Sequence, residues 1–466
     1  MRWLSTAGAM EFDMDRIEQQ IVQYVEEHKE EYIRFLGDLV KINSITGYEK
    51  KAQEFVRKKM EEFGAETEFL EPDLKKMFEK FPEVAQVPSI GEEGLDMPLM
   101  TDDKFTYEQI MASTYERLKS YKDRPNLIGR IKGTGGGKSL ILNGHIDTVP
   151  VGDASKWKHD PFGAEIENGK MYGRGTVDMK GGIATMVFAV EALQKLGIKL
   201  KGDLMMQSVV NEEHAGGGAL GAVTAGLTAD AAIVVEPSGN SQTIQDGSCG
   251  GVYWQVVIKG REAHAGARWK DGEHYGVSAN EKSACIITSL LKMESEVNKN
   301  ETLMSFCIGK LHGGTYATAS APECVMNGVA YFFPKLGTGP AGINKVKKLI
   351  RDAVMNVDDP WLKANPPELK FQHYDDAYKL DGSKDAILKE VAGCIKDVLD
   401  KEPGVTVAGG GGDARHLGNQ GGIPAIYYGP GSAVMAHSTD EYIELDDYIK
   451  GIKVLAVAVY RWCNGV

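Results

Sequence analysis

The chain of 466 residues is poor in cysteine: six are scattered at 249, 285, 307, 324, 394 and 463, with no CxxC pair. That spacing gives neither a disulfide-stapled scaffold nor a thiolate zinc cage. Several of the six sit in apolar runs, which reads as reduced core thiols in a cytoplasmic protein. No apolar run reaches the ~18 residues that a membrane span requires. Basic residues are also short, since 53 Lys and Arg face 66 Asp and Glu, a net charge of −13. Such an acidic chain argues against nucleic acid or anionic membrane as a partner. Neither GxGxxG nor a phosphate loop stands in a strand-to-helix setting, so the glycine-rich loops are weak evidence for nucleotide binding. Residues 1–15 contain only a weak apolar segment and read as a ragged start, not a signal peptide.

What is present is the composition of a globular enzyme-sized protein, 42% hydrophobic and 26% charged. The length exceeds one typical core and predicts two domains. The organising stretch is 139–192. Leu140, Ile141 and Leu142 form a short apolar run suited to a buried strand, followed by Gly144-His145-Ile146-Asp147. Residues two apart on an extended segment share a face, so His145 and Asp147 can enter one crevice. Further on, Asp178-Met179-Lys180-Gly181-Gly182 precedes Ile183, Met186, Val187, Val190 and Leu193, whose spacing predicts a helix from about Gly182. Apolar strands at 203–210 and 231–235 end in Glu212-Glu213 and Glu236. Recurrent acids at strand ends point to a decorated carboxyl edge of an α/β sheet, where ligands bind.

Elsewhere, helices are expected within 14–40, 49–63, 107–119, 278–297, 342–357, 385–399 and 446–463. Residues 71–124 are polar and proline-dotted, and read as a surface insertion. From Gly251 the pattern becomes β-α-β-β-α-β, the order of a ferredoxin-like unit. The expected division is a catalytic domain of 1–250 and 374–466 with an inserted domain of 251–373.

His145-Ile146-Asp147, Trp157, Asp160-Pro161-Phe162, Gly173-Arg174-Gly175 and Asp178-Met179-Lys180-Gly181-Gly182 together resemble the M20 family of metal-dependent amidohydrolases, of the acetylornithine deacetylase and succinyl-diaminopimelate desuccinylase type. The resemblance covers nearly the whole chain. It implies an α/β fold: a mixed-sheet, zinc-exopeptidase-like catalytic domain with an inserted α+β ferredoxin-like lid and dimerisation domain. It also implies two divalent ions, Zn²⁺ with Co²⁺ or Mn²⁺ as rivals. Their ligands would be His145, the bridging Asp178, Glu213, Glu236 and His437, a nitrogen and oxygen shell suited to those metals. Asp147 would take the second N–H of His145 and fix its orientation. Glu212 would be the general base. His264, in Gly260-Arg261-Glu262-Ala263-His264, would stabilise the oxyanion, reaching across a homodimer. Arg415, in Gly410-Gly411-Gly412-Asp413-Ala414-Arg415, would hold a substrate carboxylate, which its fork geometry suits.

Two elements common in that family, an Asp-x-Arg and an asparagine just before it, are not in their usual place in 319–333. The expected activity is hydrolysis of the amide of a small N-acyl amino acid or related amine. A dipeptidase or carboxypeptidase on the same site is the alternative within enzymes. A binding protein that kept the fold and lost catalysis is disfavoured, because Glu212 and every ligand are present.

Overall fold

The computed structural model describes residues 15–84, 107–112, 119–270 and 273–465. Its centre is a mixed sheet of nine strands. Eight run in the order Glu66–Leu70, Asn126–Ile131, Leu204–Val209, Leu140–His145, Ala231–Val234, Ala425–Tyr427, Thr243–Ser248 and Tyr378–Lys379, and Gly404–Ala408 pairs beside Thr243–Ser248. Leu204–Val209, Leu140–His145, Ala231–Val234 and Ala425–Tyr427 are mutually parallel. Their carboxyl ends therefore open on one edge.

Both faces of this sheet are covered, which is why its central strands are apolar runs and not alternating ones. Leu140 and Leu142 join the large core formed with helices Gly181–Lys195 and Leu445–Asn464. Ile141 points the other way, into a second cluster with Val223, Tyr378 and Leu417. Helix Gly181–Lys195 starts very close to the sheet edge: a Cβ on Gly182 would lie 1.9 Å from the Val235 carbonyl oxygen. Only glycine permits that approach. Two amino-terminal helices, Arg16–Glu27 and Lys29–Val40, pack over it; Tyr32 stacks on Phe188 at 4.1 Å and Phe35 meets the same ring edge-on at 5.0 Å.

A second sheet has the order Met304–Gly313, Glu323–Phe332, Gly250–Lys259, Glu368–Asp375, all pairs antiparallel. With helices Ala279–Val297 and Gly339–Met355 it forms the expected ferredoxin-like α+β unit. Val252, Trp254, Val256 and Ile258, every second residue of one strand, share its separate core with both helices.

The structure differs from the sequence reading in several places. Strands Thr243–Ser248 and Gly404–Ala408 were not expected. The helix expected at 107–119 is described only as Tyr107–Ala112, and residues 85–106 and 113–118 lie outside the described part. The tail of the 71–124 stretch is not a surface excursion, since Tyr121 and Arg124 are 1% and 6% exposed. All six cysteines are free thiols, and no described helix is long and apolar enough to cross a membrane.

Phe188 is fully buried between two aromatic neighbours. Phe188→Ala should destabilise the chain by about 3–5 kcal/mol, the usual cost of emptying such a site, read as a lower midpoint in urea unfolding.

Candidate metal centre

All the site residues but Asp178 arrive from the ends of parallel strands or the loops that follow them. His145 closes strand Leu140–His145. Glu212 and Glu213 follow strand Leu204–Val209 after a sharp turn at Asn211, whose φ is +64°. Glu236 follows Ala231–Val234. Asp178 lies in the loop entering helix Gly181–Lys195, and its peptide bond to Met179 is cis. His437, with φ +60°, sits in the loop after Ala425–Tyr427.

Asp178 is the hinge of the arrangement. Its Oδ1 lies 3.1 Å from His145 Nε2 and its Oδ2 lies 3.3 Å from His437 Nε2. Around His145 Nε2 stand Glu236 Oε1 at 3.4 Å and Glu212 Oε2 at 3.9 Å. Around His437 Nε2 stands Glu213 Oε2 at 2.9 Å. Donor atoms of His145, Asp178 and Glu213, and likewise of His145, Glu212 and Glu236, all lie within 4.8 Å of one another. The five expected ligands are thus brought together, and Glu212 stands with them.

The charges leave an excess of carboxylate. Burial, with Glu236 and Asp413 nearby, drives Glu212 well above the usual carboxylate range. Burial and the Asp178 charge push Glu213 up to about 7. Burial also raises Glu236. Burial would raise Asp178 too, but its bonds to the two imidazoles outweigh that and hold it low. The bonds from Asp178 and Glu213 lift His437 to about 11. A buried cluster of this composition fits divalent cations: hard oxygen donors and two imidazoles, with more negative charge than the protein itself balances.

The expected role of Asp147 needs a correction. His145 Nδ1 donates to the main-chain oxygen of Asp147 at 2.9 Å, while the nearest carboxylate oxygen is 3.7 Å away. The carboxylate is occupied elsewhere. It accepts from the Glu212 and Glu213 amides at 3.1 and 3.3 Å and from Thr46 Oγ1 at 2.8 Å. Two amides of the Glu212 turn and the Thr46 hydroxyl outcompete one imidazole, so Asp147 holds the turn that carries Glu212.

Arg415 is only 3% exposed, and its Nη2 lies 3.1 Å from Asp375 Oδ1, at the end of strand Glu368–Asp375. A buried guanidinium needs a counterion, and Asp375 supplies one within the chain. His264 is exposed on the ferredoxin-like unit, where its Nδ1 accepts from the Gly266 amide at 3.1 Å. No hydrogen bond or ion pair among the described residues joins it to the carboxylate cluster.

Two further residues have no counterpart in the sequence reading. Glu441 is fully buried; its Oε1 accepts from the Val177 and Asp178 amides at 3.0 and 3.2 Å, and its Oε2 accepts from Arg174 Nη1 at 2.6 Å. It ties the Asp178 loop to the chain four residues beyond His437. Asp413 is buried with neither carboxylate oxygen hydrogen-bonded among the described residues, and burial pushes it up to about 7. Asp413 lies inside the Gly410 to Arg415 stretch, and Glu441 lies four residues beyond His437. Neither carries a mark that separates it from an ordinary surface acid.

The family model described as peptidase family M20/M25/M40 matches residues 141–461. The chain belongs to this family. Like its M20 relatives it is a metal-dependent hydrolase of amide bonds. It is 32% identical over 387 residues to N-formyl-4-amino-5-aminomethyl-2-methylpyrimidine deformylase of Bacillus subtilis (strain 168), covering 77% of this chain and 88% of the relative. It is 24% identical over 371 residues to a probable succinyl-diaminopimelate desuccinylase of Staphylococcus aureus (strain MRSA252), covering 74% and 88%. Among solved structures it resembles the di-peptidase Dug1p of Saccharomyces cerevisiae, at 15% identity and TM-score 0.69 over 97% of this chain and 99% of that one. At that identity the likeness speaks for the M20 fold alone.

Since Glu441 holds two amides of the Asp178 loop, Glu441→Gln should weaken divalent metal binding about 10–100-fold, as loss of an outer hydrogen-bonding partner typically does. Titration of the metal-stripped protein with Zn²⁺ measures this, and wild-type affinity would refute it.

Proposed function

We propose that the chain removes a small acyl group from the nitrogen of an amino acid or related amine by hydrolysis at two divalent ions. His145, Asp178 and Glu236 would hold one ion, and Asp178, Glu213 and His437 the other. The observation that carries this reading is Asp178, whose two oxygens face different histidines. Zn²⁺ suits the shell best, with Co²⁺ and Mn²⁺ as rivals. When bound, such ions polarise the acyl carbonyl and lower the pKa of water.

Glu212 takes the proton of the attacking water and delivers it to the leaving nitrogen. Its burial supports this, because burial raises the proton affinity of the carboxylate, and a base that later acts as an acid must hold the proton between the two steps. Asp147 aims it by holding the Glu212 and Glu213 amides. Residues 251–373 act as an inserted lid and dimerisation domain, and His264 donates to the carbonyl oxygen as negative charge builds there. Because His264 is exposed, it must come to the site by closure of its own unit or from a second copy. The edge strand Met304–Gly313, with Leu311 half-exposed, supports pairing between copies. Cytoplasmic residence goes with this reading, supported by six free thiols.

The two relatives named as a deformylase and a desuccinylase support acyl removal over peptide cleavage. A panel of N-formyl, N-acetyl and N-succinyl amines and amino acids beside dipeptides decides the point. Preference for dipeptides would move the assignment to a peptidase.

Chelation should abolish turnover and added Zn²⁺, Co²⁺ or Mn²⁺ should restore it, whereas full activity in a verified metal-free sample would sink the reading. Glu212→Gln, with its metal retained, should lower kcat by roughly 10²–10⁴-fold. Light scattering should give the mass of a dimer. Mixed heterodimers of His264→Ala and Glu212→Gln subunits should regain part of the activity each lacks alone, and a confirmed heterodimer without recovery would exclude the crossed site.

A further inference from the structure

The turn that presents Glu212 is gripped from behind by a stretch that reads as a surface insertion. Arg124, the last residue of that stretch, is buried. Its Nη2 donates to Glu49 Oε1 at 2.6 Å and its Nε to Glu49 Oε2 at 3.1 Å, a two-point pair with a fully buried carboxylate. The same Nη2 donates to Asn211 Oδ1 at 2.9 Å. Asn211 is itself fully buried and directly precedes Glu212. Its left-handed backbone, φ +64° and ψ 27°, makes the chain turn sharply out of strand Leu204–Val209. Asparagine is among the few residues that tolerate this conformation, and a fixed side chain holds it there.

Tyr121, three residues before Arg124, braces the next helix. Its ring lies 5.5 Å from the guanidinium carbon, and its hydroxyl lies 1.8 Å from where a Cβ on Gly217 would fall. The amides of Glu212 and Glu213 are already taken by Asp147 on the strand side. The turn is therefore held on two sides, by Asp147 and by the Arg124 side chain.

A buried ion pair is weak evidence for stability, because desolvation consumes most of its attraction. This one contacts the residue before the base, which gives it a different use. We propose that Arg124 is a positioning residue: anchored by Glu49, it fixes Asn211 and so sets the direction in which the Glu212 carboxylate points. The proposal rests on Glu212 being the general base. It gives the end of the 71–124 stretch a part in the reaction without contact to substrate.

Three variants test it. Asn211→Gly keeps the left-handed turn available and the Arg124–Glu49 pair intact but removes the tether. Arg124→Met with Glu49→Gln removes both charges together, so that no uncompensated charge stays buried. Combining all three substitutions tests whether the effects share one cause. A displacement of about 1 Å in a reacting group can cost on the order of 10²-fold, so kcat should fall by about 10- to 100-fold in each variant. KM, metal content and thermal midpoint should stay close to wild type. The triple variant should be no slower than the slower of the other two, because both break the same link. Arg124→Lys, which keeps the charge but not the fork, should restore part of the rate lost in Arg124→Met/Glu49→Gln. Wild-type kcat in folded Asn211→Gly, or losses that multiply in the triple variant, would overturn the proposal. If the charge-pair variant does not fold, Asn211→Gly decides alone. Glu212→Gln run alongside separates the two levels: a fast Glu212→Gln enzyme removes the base itself, while a slow one beside a fast Asn211→Gly enzyme removes only the positioning role.

Discussion

Four carboxylates, Asp178, Glu212, Glu213 and Glu236, crowd around the buried His145 and the half-exposed His437, and that like-charge congestion is the constraint to which the rest of the molecule answers. Buried anions at such distances repel and resist ionisation, as the raised proton affinities of three of them record. The arrangement persists because strong scaffolding forces it. Parallel strands Leu204–Val209, Leu140–His145 and Ala231–Val234 must end on the same side, and each carries its acid or imidazole at its last paired residue or within four residues beyond it. Cations then become a structural need as much as a catalytic one.

Two acids near the centre, Asp147 and Glu441, show that residue type does not decide role. Both are fully buried carboxylates, yet each spends its oxygens on amides of the loop that carries a functional residue. A carboxylate that accepts two main-chain N–H groups is already satisfied and has little reason to bind an ion. One with a single imidazole and no amide on the same oxygen, like either side of Asp178, keeps lone pairs to offer.

This distinction is also where sequence reading stops. The central strands were legible because burial on both faces makes them uninterrupted apolar runs, as at Leu140, Ile141 and Leu142. Strand Thr243–Ser248 was not, since Thr243, Gln245, Asp246 and Gly247 carry no apolar period and its pairing is settled by three distant neighbours. The ligand set was legible through motif resemblance, though each of Glu213, Glu236 and His437 is ambiguous by itself. Hydrogen-bond destinations were not legible. Asp147 looked like a partner for His145 because two residues on a strand share a face, but competition from the Glu212 and Glu213 amides lies outside any local pattern. The same holds for Arg415, whose counterion Asp375 stands forty residues earlier in the chain, and for Arg124, buried at the end of a polar stretch.

The ferredoxin-like unit leaves and rejoins its host at neighbouring points. Gly251 pairs with Asp375 inside it, and Ser248 pairs with Tyr378 just outside. To the host sheet, more than a hundred residues of insertion are equivalent to the tip of a hairpin. Loop-closure entropy depends on where the ends of a folded insert lie, not on how much chain it contains, so ends held side by side burden the host very little. The outer unit can therefore be lengthened, resurfaced or exchanged in the course of descent without disturbing the register of the strands that converge on Asp178. One chemistry at the sheet edge can be fitted with many different roofs.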